Sequence, residues 1–330
     1  MAKAILYLSV LMFIFSCEKV EKKVVQTAAP QKNESRTDTV SEKKINFDDF
    51  HVFDLYSIEN GDRDDIFISL SDIYHDSITV PPEIIKNQKN IPFSKRKHFE
   101  LPTFYRQKLL KGTKLSENDT LYLFNYKDNL LEKFPIKNLK AVANLNLYSD
   151  EDDDISDYYY MIGFELNEKV SREESMKKTN YSMAYFGKEN PFANQKLSPV
   201  KWEKSSAKEF PVKINSKLKL GKTYKYKAGQ IESYLQDLML ENEISERKLV
   251  AVKNGKVVLE KTYTKGEGAE FAPLNFVEST EYTDYQWSGN LFKGKPPVVF
   301  GFVSESFGCS AITFLDNSYP DLYTDCDNRH

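Results

Sequence analysis

KLVAVKNGKVVLEKTY (residues 248–263) decides the fold class. Two runs rich in β-branched residues, Lys248–Val252 and Lys256–Tyr263, flank Asn254-Gly255. Both central positions of a type I′ turn need positive φ, and Asn-Gly supplies them at little steric cost, so the stretch reads as a β-hairpin. The same grammar recurs outward from it. Leu121–Tyr126 and Leu130–Ile136 flank Lys127-Asp128-Asn129, a second hairpin. Ala141–Tyr148 and Tyr158–Leu166 read as strands joined by an acidic loop, Ile66–Leu70 as a short strand, and Val298–Val303 with Ser310–Leu315 as a last hairpin. The expected class is α+β and β-rich, with antiparallel sheets built from hairpins and one or two amphipathic helices. One helix is expected near 230–242, where Ile231, Tyr234, Leu235, Leu238 and Met239 fall at i, i+3, i+4, i+7 and i+8. A second is expected over 171–178, where Ser171 and Glu174 have the spacing of a capping box.

Composition agrees with a sheet-rich globular body. The 330 residues include 20 Tyr and 22 Phe against 13 Gly, with 29% charged residues and a net charge of -3. That balance excludes a polytopic membrane protein and a fully disordered chain, and it offers no electrostatic footprint for nucleic acid. The compact basic patch, Lys95-Arg96-Lys97-His98, reads as a solvated loop. From Glu18 to about Lys44 the chain is polar and holds no aromatic residue, so it cannot bury enough apolar surface to offset its ordering entropy. It reads as a tether. The expected organisation is a signal segment at 1–16, a modified cysteine and linker at 17–44, a β-rich domain at 45–187 and a second at 188–330 that carries the helix near 230–242.

The amino terminus carries the strongest functional signal. Lys3 precedes an apolar run from Ala4 to Phe15, and Ile14-Phe15-Ser16-Cys17 follows. Twelve helical residues span only about 18 Å, too short for a bilayer core of roughly 30 Å, which suits a secretory h-region rather than a membrane span. Ile14, Ser16 and Cys17 resemble the lipobox of bacterial lipoproteins. That resemblance, confined to these seventeen residues, implies cleavage before Cys17, a lipid on its sulfur, and attachment of the body to the bacterial cell envelope. The outer membrane is expected before the inner, with the body in the periplasm or on the cell surface. In an oxidising compartment the remaining cysteines, Cys309 and Cys326, are expected to pair, the alternatives being free thiols or a metal pair.

Site chemistry is sparse. Asp150, Asp152 and Asp154 offer alternate oxygen ligands to Ca²⁺, but Ile155 and Met161 stand where an EF-hand loop needs glycine and a bidentate Glu, so a solvated loop is the plainer reading. Asp325, Asp327 and His330 at the carboxyl end are competent metal donors, or parts of a tail pinned by the cystine. No nucleophile elbow, phosphate-binding loop or dinucleotide fingerprint is present in the sequence, and no cofactor is expected. Aromatic residues Tyr158, Tyr159, Tyr160, Trp202, Tyr282, Tyr285 and Trp287 are candidates for stacking on sugars or on protein hot spots. The expected function is therefore a non-enzymatic binding or structural role at the envelope, with a protein or a glycan and not nucleic acid as the partner. The alternative is an envelope hydrolase assisted by metal at the carboxyl-terminal cluster.

Overall fold

The computed structural model describes residues 50–330 except 77–78, 279–283, 307 and 329–330, together with the backbone but not the side chain of Asn60. The signal segment, Cys17, the tether, Tyr282 and His330 lie outside the described residues. The chain divides into a unit at Met1–Lys43 and a compact unit at Lys44–His330, and all that follows concerns the second.

The body is β-rich with four α-helices among the described residues, and its strand pairings within sheets are antiparallel. The hairpin at 248–263 forms as read. Glu243–Lys253 pairs with Lys256–Thr264, and Asn254 and Gly255 turn the chain with φ of 51° and 74°. It belongs to a five-stranded meander of Glu203–Ser205, Lys219–Ala228, Ile231–Leu240, Glu243–Lys253 and Lys256–Thr264. The hairpin of Thr120–Asn125 and Leu130–Pro135 also forms, and Ser182–Gly187 adds a third strand to it. Lys140–Leu145 and Tyr160–Val170 pair within a sheet that also holds Tyr56–Asn60, Arg63–Ser69 and His98–Glu100. The last hairpin forms from Val298–Phe300 and Ala311–Phe314, while Val303–Glu305 peels away to pair with Ala269–Phe271.

The helix expected near 230–242 is a strand, Ile231–Leu240. Two-residue turns fix both of its ends: Gly229-Gln230 (Gly229 φ 57°) and Glu241-Asn242 (Glu241 φ 53°). Between them the segment pairs with neighbours on both edges, so most of its backbone polar groups find ladder partners in an extended conformation. Near its end Gln236, Asp237 and Leu238 are consecutive buried residues, a two-sided burial that imitates a helical stripe in sequence. The helix expected at 171–178 does form, over Arg172–Tyr181. Ser171 Oγ accepts from the Glu174 N–H at 3.3 Å, and the Glu174 carboxylate accepts from the Ser171 N–H at 3.2 Å. A ten-residue helix, Thr103–Gly112, has no counterpart among the sequence expectations; it starts without a side-chain cap and buries only Leu109 and Leu110.

One core cluster joins Phe50, Val52, Tyr122 and Phe124 to Phe192, Trp287, Phe292 and Phe314, and so spans the boundary expected near residue 188. The segment around Phe53 is the splice. Phe53 bridges antiparallel to Ala184 and parallel to Asp325, which brings the carboxyl end of the chain against the start of the body. Cys309 and Cys326 lie as a disulfide pair, Cα atoms 5.4 Å apart.

A candidate ligand cleft

A cleft of about 660 Å³ opens where these segments converge. Its walls come from four places. The hairpin loop supplies Tyr126. The end of helix Arg172–Tyr181 and the next strand supply Tyr181 and Ser182. Strand Trp287–Gly289 and the turn after Val298–Phe300 supply Trp287 and Gly301, and the spliced segment 54–57 with Thr324 of the tail closes the remaining side. Gly301 cannot be replaced freely: its φ is 87°, and a Cβ there would sit 2.0 Å from the Tyr285 carbonyl oxygen.

Aromatic rings form one wall. The Tyr126 ring lies edge-on to Trp287 and to Phe300, each at 5.3 Å, and Tyr181 lies edge-on to Trp287 at 5.9 Å. These are the tilted geometries that ring quadrupoles favour, and they hold the wall rigid. Two hydrogen bonds fix the orientation further: the Tyr126 hydroxyl donates to the Asn180 carbonyl at 3.0 Å, and Trp287 Nε1 donates to the Asp284 carbonyl at 3.1 Å. Trp287 and Tyr126 are buried and give the wall its backing, while Tyr181 and Tyr285 are partly open to the cleft. The Lys127 ammonium stands 4.0 Å from the Tyr181 ring centroid, a cation–π contact that pins this ring.

Polar groups complete the lining. Asp54 is partly buried there, and burial is the main cause that pushes its carboxyl from an ordinary value near 3.8 up to about 6. The Thr324 hydroxyl donates to Asp54 Oδ2 at 3.0 Å and works the other way, whereas the nearby negative charges of Asp325 and Asp72 add to the rise. Ser182, also in the lining, has a buried Oγ without a hydrogen-bond partner among the described residues. A cavity of this volume with aromatic backing and convergent polar groups has the make-up of a small-ligand site.

The carboxyl end builds this site in a way the sequence did not reveal. Asp54 N–H donates to the Asp325 carbonyl at 3.1 Å, Asp325 N–H donates to the Val52 carbonyl at 2.7 Å, and Thr324 N–H donates to the Ser310 carbonyl at 3.0 Å. His51 Nδ1 lies 3.1 Å from Asp325 Oδ2. Asp327 is buried, its N–H donating to Asp72 Oδ2 at 2.7 Å and its carboxylate accepting from the Ser69 hydroxyl. The tail is thus held by backbone and side-chain bonds beyond the cystine.

The other sequence candidates fall elsewhere. In the acidic run Asp150 accepts from the Asp152 N–H at 2.9 Å, and Asp154 accepts from Gln88 at 3.0 Å. Neither this run nor the tail brings three potential metal-ligating side chains together among the described residues. In the basic patch Arg96 is buried, donating to the Glu151 carbonyl at 2.8 Å, and His98 Nε2 lies 2.8 Å from Glu165. Tyr160 and Trp202 are core residues and Tyr158 is exposed outside the cleft lining, so of the described aromatic candidates Tyr285 and Trp287 line it. Asp54, Tyr126, Tyr181 and Asp284 carry no motif spacing, and only tertiary pairing brings them together. Comparison with protein-family models, with curated proteins and with solved structures finds no match.

Proposed function

We propose that this chain is a lipid-anchored protein of the bacterial envelope whose body binds a saccharide in the aromatic cleft. The observation that carries the binding reading is a single lining that combines the partly open rings of Tyr181 and Tyr285 and the buried Trp287 with hydroxyls and the Asp54 carboxyl. Sugars present an apolar face of C–H groups and an edge of hydroxyls, and a cleft that offers both stacking rings and hydrogen-bonding groups matches both. The lipobox-like Ile14-Phe15-Ser16-Cys17 supports the anchor, and the Cys309–Cys326 pair is in keeping with an oxidising compartment.

Titration calorimetry of the full chain in detergent against neutral and charged oligosaccharides tests the binding. Micromolar-to-millimolar affinity that falls about three- to tenfold in Tyr181→Ala or Tyr285→Ala, the size of a lost ring contact, is the expected result. The absence of binding to every oligosaccharide would overturn it. Mass spectrometry of the protein from cells tests the anchor: an amino terminus at an acylated Cys17 is expected, and a bare thiol with residues 1–16 retained refutes it.

A further inference from the structure

The charge of the cleft narrows the ligand. Two carboxylates, Asp54 and Asp284, belong to its lining, and no lysine, arginine or histidine lines it among the described residues. Lys127 stacks on Tyr181 but is not part of the lining. Two further carboxylates, Asp72 and Asp325, stand close enough to Asp54 to disfavour its ionisation. Of these, Asp325 has His51 beside it at 3.1 Å, and Asp72 accepts the Asp327 N–H at 2.7 Å. The remaining lining polar groups, among them Asn180, Thr179 and Ser304, are neutral. Nothing in this lining offsets a negative charge brought in by a ligand. A positive charge would be attracted by the carboxylates of this lining, in a partly desolvated setting where Coulomb energy is several times its value in water.

We infer that the cleft selects a saccharide bearing a cationic amine, an amino sugar with a free amino group, over its neutral and anionic counterparts, an assignment that rests on the saccharide reading above. The ring wall takes the apolar face of the sugar. Asp54 accepts from the ammonium, and Asp284 adds a second negative charge to the same lining. The ammonium also supplies the counter-charge that Asp54 lacks, since the hydroxyl of Thr324 is the only donor given to that carboxylate among its described side-chain hydrogen bonds. Uronic acids and phosphorylated sugars would meet like charge at the same positions.

The experiment is a titration of the full chain in detergent at pH 7 with three probes: a glucosamine oligosaccharide, its fully N-acetylated counterpart and an oligogalacturonate. The glucosamine oligomer is expected to bind about tenfold or more tightly than the N-acetylated one, with the oligogalacturonate weakest. Asp54→Asn should erase most of that preference, and Asp284→Asn, on a different segment, should reduce it independently. Raising the salt should weaken only glucosamine binding. Equal affinity for the amine and N-acetyl probes, or tighter binding of the oligogalacturonate, overturns the inference and leaves the saccharide reading standing. Binding of none of the three overturns both.

Discussion

Asp54→Asn should make the protein more stable at neutral pH. The Asp54 carboxyl is raised from near 3.8 to about 6, so ionising it in the folded state is harder than in the unfolded chain by about two units. At about 1.4 kcal/mol per unit, that is a penalty of about 3 kcal/mol once the pH is well above 6. The sign follows from proton counting. Below the unfolded value both states are protonated and the group contributes nothing. Between about pH 4 and 6 the unfolded chain releases its proton first, so stability falls as pH rises, and above about 6 the loss is complete. Asparagine keeps an oxygen that can accept from the Thr324 hydroxyl, so the substitution removes the charge without removing that bond. Urea unfolding of wild type and variant at pH 4, 5.5 and 7.5 measures it. The variant should gain up to about 3 kcal/mol at pH 7.5 and close to nothing at pH 4. Asp237 is also raised to about 6 and gives the wild type a similar slope, so the evidence lies in the difference between the two proteins rather than in either curve. A variant less stable at pH 7.5, or a difference that does not change with pH, would refute the reasoning.

Arg247→Ala should destabilise by about 3–5 kcal/mol in the same assay, because Arg247 bonds Asp237 at 3.2 Å and Glu278 at 2.7 Å and its loss leaves two carboxylates without a counter-charge. That loss should shrink at pH 5, where Asp237 takes up a proton; an equal loss at pH 5 and 8 would speak against a buried charge cluster. Cys309→Ser should lower stability by about 3 kcal/mol for a loop of this length, and the double variant with Cys326→Ser should cost no more than the single; additive losses would mean the two sulfurs act separately. Ser171→Ala should cost about 1 kcal/mol by removing the Oγ that accepts from the Glu174 N–H while the bond from the backbone N–H of residue 171 to Glu174 stays, measurable as a small fall in the urea midpoint with an unchanged slope.

The sequence revealed local pairing and little of what joins distant parts. Asn254-Gly255 and Lys127-Asp128-Asn129 carry their turns in their own residue types, and Ser171 with Glu174 carries its helix start, so these elements can be read from a few adjacent letters. Ile231–Leu240 failed the same treatment because its burial is decided by neighbours on both edges. Gln236 is buried by its bonds to Thr223 and to the Gly221 and Lys222 carbonyls, and Asp237 by Arg247, and no pattern within the ten residues records those partners. The cleft was hidden for the same reason. Trp287 and Tyr285 were legible as aromatic residues but not as one wall, and Asp54 looked like any acid in a loop, because its surroundings arrive from residues some 270 positions away.

As far as Asp327 the carboxyl end is tied into the wall of the cleft. Thr324 touches the cleft carboxylate, and it stands two residues before Cys326, whose partner Cys309 adjoins Ser310, another lining residue. The cystine therefore ties together two segments that each contribute a side chain to the cleft, and the backbone bonds from Asp325 to Val52 and from Asp54 to Asp325 transmit that restraint to the carboxylate itself. Opening the disulfide would remove one restraint on the tail beside Asp54 and loosen the placement of the carboxylate on which selection of an amine depends. Ligand affinity measured before and after reduction should consequently fall more for the glucosamine oligomer than for the N-acetylated one. A site wired in this way works best where thiols stay oxidised, the same requirement that the proposed export of the chain would satisfy.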